Sequence, residues 1–303
     1  MSSPSDLSLP LYLGLSQWSH NHWQQSIYGK GCKNGDRLAR YAEVFHTVEG
    51  NTTFYAIPSM TTVKNWNGAT PDCGFKFTFK IPQTITHQQQ LRHSNQSLVD
   101  FLNTMSPVEE KTGLWMIQLP ARFSPHDLPL LDAFLDQFPR HFTTGVEVRH
   151  PAFFAKGEEE KALNRMLLGK GSNRIIMDSR PVFSAIANTE AVIDAQKKKP
   201  RVPVHAIATA DNPVIRFIGH PDDACNDPFF KNWLQRLPLW IKEGKTPYLF
   251  IHTPDNNAAP ESARRLYNVL RDHLISENNT LSPLPELAMP SAAKISTPQI
   301  SLL

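Results

Sequence analysis

The sequence predicts a single-domain (β/α)8 barrel of the TIM type, and three observations point to it. Eight short apolar runs occur along the chain, which is the number of strands in this barrel. They alternate with helix-like segments, as expected for a parallel sheet. Prolines follow many of the runs, as expected where a strand gives way to a stiff loop. An open doubly wound sheet is the alternative, but no glycine-rich phosphate fingerprint follows any run.

The eight strand candidates are short and are bounded by turn-forming or polar residues. In chain order they are LYLGLS from Leu11, TVEGNTTF from Thr47, FKFTFKI from Phe75, LWMIQL from Leu114, GVEVRH from Gly145, RIIMDS from Arg174, VIRFIG from Val214 and YLFIHT from Tyr248.

Segments with apolar residues at helical spacing lie between the strands. They include DRLARYAEVF, DLPLLDAFLDQF, EEEKALNRMLL, DPFFKNWLQRLPLWI and ESARRLYNVLRDHL. Ser124 followed by Pro125 is typical of a helix start. The prolines that follow strand candidates are Pro82, Pro120, Pro151, Pro181, Pro221 and Pro254. In this architecture the loops after the strands form the active-site face, so we expect that face to be rigid.

The chain is expected to have an N-terminal extension over residues 1–10, the barrel over 11–275 and a flexible tail over 276–303. The tail is rich in Ser, Pro, Asn and Ala and has no periodicity. No segment predicts a membrane span or a secretion signal. The three cysteines are isolated and odd in number, which disfavours a disulfide framework. We therefore expect a cytoplasmic protein.

Polar side chains share one face of several strands, and that face is expected to line the barrel. Phe75, Phe77 and Phe79 form one face of their strand, so Lys80 belongs to the other. In GVEVRH the valines are expected to face the helices, which leaves Glu147 and Arg149 inside. The same parity places further residues inside, namely Ser16, Trp18, Glu49, Asn51, Gln118, Asp178, Arg180, Arg216 and His252.

This convergence of polar groups at strand ends predicts a functional site at the barrel mouth. Glu49, Glu147 and Asp178 are the candidate catalytic carboxylates. The candidate substrate-binding residues are Trp18, Asn51, Tyr55, Lys80, Gln118, Arg149, Arg216 and His252. Trp18 and Tyr55 are aromatic residues suited to stacking or to core packing. A lining of mutually paired charges is the structural alternative, because buried ions are tolerated when they are paired.

Seven motifs in order resemble those of the YecE-like family, also called DUF 72. They are GLSQWSH, FHTVEGNTTFYAIPS, FKFTFKIPQTITH, QLPARF, GVEVRHPAFF, MDSRP and VIRFIGH. The resemblance implies a (β/α)8 barrel from about Leu11 to His252, but it implies no reaction. Many relatives end the last strand in an asparagine-rich motif, where this chain has FIHTPDN. The resemblance therefore implies no role for His252 or Asp255.

Two classes of function fit the expected site. The first is a hydrolase or lyase acting on an anionic substrate that is phosphorylated, sugar-containing or derived from nucleic acid. Lys80, Arg149 and Arg216 would hold the negative charge, with Glu49 and Glu147 as general acid and base. The second class is a barrel that binds a ligand or docks a partner without catalysis. Ligand-induced stabilisation without turnover would favour it.

A divalent metal is a further variant of the enzymatic hypothesis, although nothing in the sequence requires one. Glu49, Glu147, Asp178 and His252 have suitable donor atoms. The interleaved lysine and arginine residues would repel a cation, and no regularly spaced ligand pair such as His-x-x-x-His occurs.

Two segments outside the strands suggest partners. The chain ends in the peptide Gln299, Ile300, Ser301, Leu302 and Leu303, which resembles the segments by which bacterial DNA-processing proteins bind the replication sliding clamp. The basic run Lys197–Lys199 with Arg201 suggests weak phosphate contact with nucleic acid, and a solvated loop is the alternative.

Overall fold

The computed structural model describes residues 10–276 and 284–288, and it confirms the predicted barrel. Its strands are β1 (Tyr12–Leu15), β2 (Thr47–Gly50), β3 (Lys76–Lys80), β4 (Thr112–Gln118), β5 (Thr144–Glu147), β6 (Asn173–Asp178), β7 (Val214–Ile218) and β8 (Tyr248–His252). Each strand pairs in parallel with the next, and β8 pairs with β1 to close the barrel. All the strands therefore end at the same mouth.

Helices surround this barrel and connect its strands. They are α1 (Arg37–Ala42), α2 (Thr52–Tyr55), α3 (Met60–Ala69), α4 (Asn95–Met105), α5 (Leu128–Leu135), α6 (Glu158–Lys170), α7 (Arg180–Ser184), α8 (Glu190–Lys198), α9 (Asp227–Lys242) and α10 (Ala259–Ser276). The predicted start at Ser124 is confirmed, because Asp127 Oδ2 accepts a hydrogen bond of 2.9 Å from Ser124 N in the turn before α5.

Two apolar layers lie on the two sides of the strands. The outer layer packs strands against helices and includes Phe75, Phe77 and Phe79, as the alternation in that segment predicts. The lumen contains a separate cluster of buried side chains. Its members are Tyr12, Leu114, Met116, Ile175, Val214, Tyr248 and Phe250. They belong to the inward parity of their strands, so the lumen is filled by side chains and is not a pore.

Part of the predicted tail packs against the barrel. Leu284 is only 2% exposed and joins the outer apolar layer, and Tyr267 Oη donates to the carbonyl of Pro285 at 2.9 Å. Residues 284–288 are therefore attached to α10. Residues 1–9, 277–283 and 289–303 lie outside the described residues, and these include the expected docking peptide Gln299–Leu303. In the portion of the chain that is described, every helix is too short or too polar to cross a bilayer.

The close approach of β1 and β2 depends on Gly14. A Cβ atom there would lie 2.2 Å from the carbonyl oxygen of Thr47. We expect Gly14→Ala to lower the free energy of unfolding by about 1–3 kcal/mol, because the two strands must move apart. The control is Gly169→Ala in α6, where an added Cβ meets nothing within 4 Å. It should be neutral or stabilise by up to about 1 kcal/mol. Equal urea denaturation midpoints for the two variants would contradict this packing.

Candidate functional site

The mouth of the barrel gathers polar side chains from most of the strands. They are Glu49 of β2, Lys80 of β3, Gln118 of β4, Glu147 of β5, Arg216 of β7 and, from β8, His252. All of these side chains are buried, and each lies at or near the C-terminal end of its strand. They therefore form a polar layer above the apolar filling of the lumen.

Arg216 is the centre of this layer because it binds both glutamates. Its Nε and Nη2 atoms donate to the two carboxylate oxygens of Glu49 at 2.8 and 2.7 Å. Its Nη1 atom donates to Oε2 of Glu147. A guanidinium has the planar fork of donors that such a double contact requires. One side chain of β7 thereby connects β2 and β5 across the lumen.

Two further cations complete the pairing of the carboxylates. Arg149 donates from Nε to Oε1 of Glu147 at 2.8 Å, and its Nη2 lies 2.7 Å from the same oxygen. The Nζ atom of Lys80 donates to Oε1 of Gln118 at 2.8 Å and lies 3.3 Å from Oε1 of Glu49. Each carboxylate therefore faces two cations.

These contacts fix the protonation state of the glutamates. Burial by itself raises the pKa of Glu49 and of Glu147, but Arg216 and the neighbouring cations outweigh burial and hold both values well below the ordinary glutamate value. Burial opposes the charge of Arg216 too, yet the two carboxylates raise its pKa. Both glutamates are thus ionised at neutral pH and can only accept hydrogen bonds.

His252 contributes a neutral imidazole to the layer. Its Nε2 atom lies 3.3 Å from Oε2 of Glu49, but the contact lacks hydrogen-bond geometry, and Nε2 bonds to no other described residue. Burial lowers the pKa of His252 to about 4, although Glu49 acts in the opposite direction. The contact is therefore not an ion pair at pH 7.

A cavity of about 670 Å³ opens above this layer. Of the described residues, five cations line it, namely Lys80, Arg149, Lys198, Lys199 and Arg216. The lining carboxylate is Asp194, which pairs with Lys198 at 2.7 Å. Glu49 and Glu147 lie beneath and are not part of the wall. The charge on the wall of the cavity is thus mainly positive.

Residues 12–286 match the family described as "Protein of unknown function DUF72". The chain belongs to the DUF72 family. It is also 50% identical over 264 residues to the UPF0759 protein YecE of Escherichia coli K12, and the match covers 87% of this chain and 94% of that protein. The UPF0759 protein YecE of Escherichia coli O157:H7 matches to the same extent. The resemblance to the YecE-like motifs is confirmed.

Two solved structures of DUF72 family proteins are similar in fold. One, from Enterococcus faecalis V583, has a TM-score of 0.65 at 19% identity and covers 86% of this chain and 97% of its own. The other, from Thermotoga maritima MSB8, has a TM-score of 0.65 at 22% identity and covers 86% of this chain and 98% of its own. At such identities the similarity supports the (β/α)8 fold and nothing about a substrate.

Asp178 and Arg180 do not lie in the lumen, where the sequence predicts them. Asp178 faces the helix layer, where it accepts from Trp233 Nε1 at 2.9 Å and from Arg180 Nε at 2.9 Å. The inward positions of β6 are instead Ile175 and Met177, which belong to apolar clusters. The parity expected for Asp178 and Arg180 is therefore wrong, and Asp178 does not reach the cavity.

Trp18 packs outside the cavity as well. Its ring meets Trp66 and Phe77 edge-on at centroid distances of 5.3 and 6.4 Å. It follows β1 by three residues, so the strand alternation no longer fixes its direction. Its expected position in the lumen is therefore wrong, and the packing alternative describes the ring.

Asn51 and Tyr55 do line the cavity. Asn51 Nδ2 donates to the carbonyl of Ser16 at 2.7 Å, which ties the loop after β2 to the end of β1. Tyr55 in α2 is 73% exposed at the rim. Its exposed ring remains suited to stacking against a ligand.

Three basic residues of the wall, His87, Lys198 and Lys199, are absent from the site that the sequence predicts. His87 projects from a π-helical turn at Thr84–Gln88, and burial together with Arg149 and Arg122 lowers its pKa. Lys199 follows α8 directly and enters the cavity, while Lys197 is exposed outside it. The run of three lysines indicates positive charge, but the position where α8 ends determines that Lys198 and Lys199 reach the cavity and Lys197 does not.

The layer does not resemble a metal site. Within residues 10–276 and 284–288 no group of three or more His, Cys, Asp or Glu side chains is arranged to hold an ion. The guanidinium of Arg216 lies between Glu49 and Glu147, in the position that a metal ion would need to occupy in order to bind both carboxylates. Asp178, another of the candidate metal ligands, faces the helices.

Arg216 and Arg149 should differ in their effect on stability. Arg216→Met removes the partner shared by two buried carboxylates, so we expect the free energy of unfolding to fall by about 3–5 kcal/mol. Arg149→Ala leaves Glu147 bound to Arg216, so the loss should be smaller, about 1.5–3 kcal/mol. Urea denaturation at pH 7 measures both values. If Arg216→Met lowers the free energy of unfolding no more than Arg149→Ala does, the central role of Arg216 is contradicted.

Proposed function

We propose that the protein binds a small anionic molecule in the cavity at the barrel mouth and acts on it as a hydrolase or lyase. The proposal is supported by the separation of cations from carboxylates at the barrel mouth. Lys80, Arg149, Lys199 and Arg216 face the cavity, whereas Glu49 and Glu147 lie beneath them. Four cations over two carboxylates leave an excess of positive charge on the wall. An anionic ligand would neutralise that excess.

Several donors on this wall have no partner within the described chain and are available to a ligand. Arg149 uses Nε and Nη2 on Glu147, which leaves its Nη1 without a bond to any described residue. Lys80 directs its ammonium to Gln118 and Glu49, and an ammonium has a third donor. These groups suit the oxygens of a phosphate, sulfate or carboxylate.

The size and the rim of the cavity favour a small molecule. A volume of about 670 Å³ is in the range of sites that enclose metabolite-sized ligands. The exposed ring of Tyr55 at the rim suits a sugar or a planar ring. A phosphorylated, sugar-containing or nucleotide-like compound combines both features.

In this proposal the cavity lysines are better suited to proton transfer than the two carboxylates are. A general acid must hold a proton at the working pH, and the ion pairs of Glu49 and Glu147 keep them deprotonated. Burial lowers the pKa of Lys80 to about 8 and that of Lys199 to about 7, and Arg216 acts in the same direction. In this proposal the glutamates orient Arg216 and Lys80, and the lysines exchange protons with the ligand.

Sulfate binding tests the anion site, because the charge of sulfate does not change near neutral pH. We expect sulfate to bind more weakly as the pH rises through about 7 and 8, since Lys199 and Lys80 lose their charge there. Arg149→Ala should weaken binding at every pH. Isothermal titration calorimetry measures both effects.

The matched control is Lys242→Ala, at the end of α9 that leads into β8 and exposed to solvent. It should bind sulfate like the unchanged protein. Equal binding by Arg149→Ala and Lys242→Ala would reject the cavity as the anion site. Turnover is then sought among phosphomonoesters, phosphodiesters and aryl glycosides. Sulfate binding without any turnover would leave the ligand-binding alternative.

A further inference from the structure

Lys199 differs from the other cations of the cavity in having no partner among the described residues. Lys80 and Lys198 pair with Glu49 and Asp194, and the two arginines pair with the buried glutamates. Across residues 10–276 and 284–288 the ammonium of Lys199 makes no hydrogen bond and no ion pair. Its side chain nevertheless lines the cavity. It is a primary amine without a structural task, directed at the ligand space.

The backbone holds Lys199 in a fixed position. Its N–H donates to the carbonyl of Ala195 at 3.0 Å and so ends α8. The next residue is Pro200, whose carbonyl accepts a hydrogen bond of 2.7 Å from Ser179 Oγ at the end of β6. The segment is therefore tied both to its helix and to the barrel. A side chain on such a support is preorganised for a reaction.

We propose that Lys199 is a nucleophile that forms a Schiff base with the carbonyl carbon of a substrate carrying a phosphate or carboxylate group. This rests on the proposed function, and it narrows the substrate class to anionic aldehydes or ketones and the reaction to a lyase type.

The chemistry needs an amine that is partly unprotonated. Burial, together with Arg216 and Lys80, lowers the pKa of Lys199 to about 7, although Glu49 and Glu147 act in the opposite direction. A substantial share is therefore neutral at pH 7. The nitrogen lone pair attacks the carbonyl carbon and gives a carbinolamine. The carbinolamine then takes up one proton from solvent and loses one water, which leaves a protonated imine. This imine accepts the electron pair of a bond broken at the adjacent carbon.

Lys80 is less suited to this step. Its ammonium donates to Gln118 Oε1 at 2.8 Å and faces Glu49 at 3.3 Å, so its protonated form is held by two acceptors. It is also only 5% exposed. Together with Arg149 and Arg216 it is placed to hold the anionic group of the substrate, while the carbonyl meets Lys199.

Trapping with borohydride tests the proposal. The full chain is incubated with limiting pyridoxal 5′-phosphate, an aldehyde that carries a phosphate, and borohydride supplies the hydride that reduces the imine to a stable amine. Tandem mass spectrometry then locates the adduct. We expect it on Lys199, and we expect pyridoxal, which lacks the phosphate, to label less. Lys199→Arg should lose the adduct, whereas Lys197→Arg, at an exposed lysine of the same run that does not line the cavity, should keep it.

Sulfate calorimetry on Lys199→Arg separates this inference from the proposed function. The substitution keeps the charge, so sulfate binding should persist while trapping is lost. An adduct spread over the exposed lysines, an adduct on Lys80, or equal labelling by pyridoxal would overturn the Schiff-base role. Absence of the adduct in a protein that binds sulfate would overturn it as well and would leave the anion site standing. Failure of both measurements would remove both proposals.

Discussion

The guanidinium of Arg216 lies between two buried carboxylates, and the arrangement of the barrel mouth depends on that contact. Glu49 and Glu147 lie on strands that are not neighbours in the sheet, and both would be costly to bury without a cation. Arg216 offers a rigid fork that satisfies both at once. The pairing makes two buried glutamates compatible with the fold and keeps them ionised.

The same contact sets the sign of the charge that a ligand would meet. Because the carboxylates are bound from above by Arg216, they do not line the cavity. Lys80 and Arg149 line the cavity instead, so their remaining N–H donors are available to a ligand there. The lumen is thereby divided along its axis into an apolar filling, an ion-paired layer and a cationic cavity. The apolar side chains below the ion pairs exclude water from them. The lower local dielectric strengthens the attraction between Arg216 and the two carboxylates.

The sequence was sufficient to predict the barrel and most of the polar layer, where the strands alternate clearly. Phe75, Phe77 and Phe79 leave no doubt about the outer face of β3, so Lys80 had to point inward. In β6 the run Ile175, Ile176 and Met177 is apolar on both faces, and alternation could not assign Asp178. Its outward direction is explained by its hydrogen bonds from Trp233 and Arg180. The fold brings Trp233 close to Asp178 and sets the orientation of Arg180, and the sequence shows neither.

Residues beyond the strands were harder to predict for a similar reason. Trp18 follows β1 and Lys199 follows α8, and no periodicity extends to either. Whether such a side chain enters the cavity depends on how its loop is tied to the rest of the barrel. For Lys199 that tie includes the bond from Ser179 to Pro200, which joins two segments whose pairing the sequence does not indicate.

The most direct test of the central ion pair is a carbon-13 NMR titration of the side-chain carboxyl groups of Glu49 and Glu147, assigned with Glu49→Gln and Glu147→Gln. If Arg216 keeps both ionised, neither signal changes protonation state at any pH above the ordinary value of 4.5. An inflection of either signal near neutral pH would mean that the carboxylate takes up a proton there. That result would contradict the account and return the glutamates to the role of general acid.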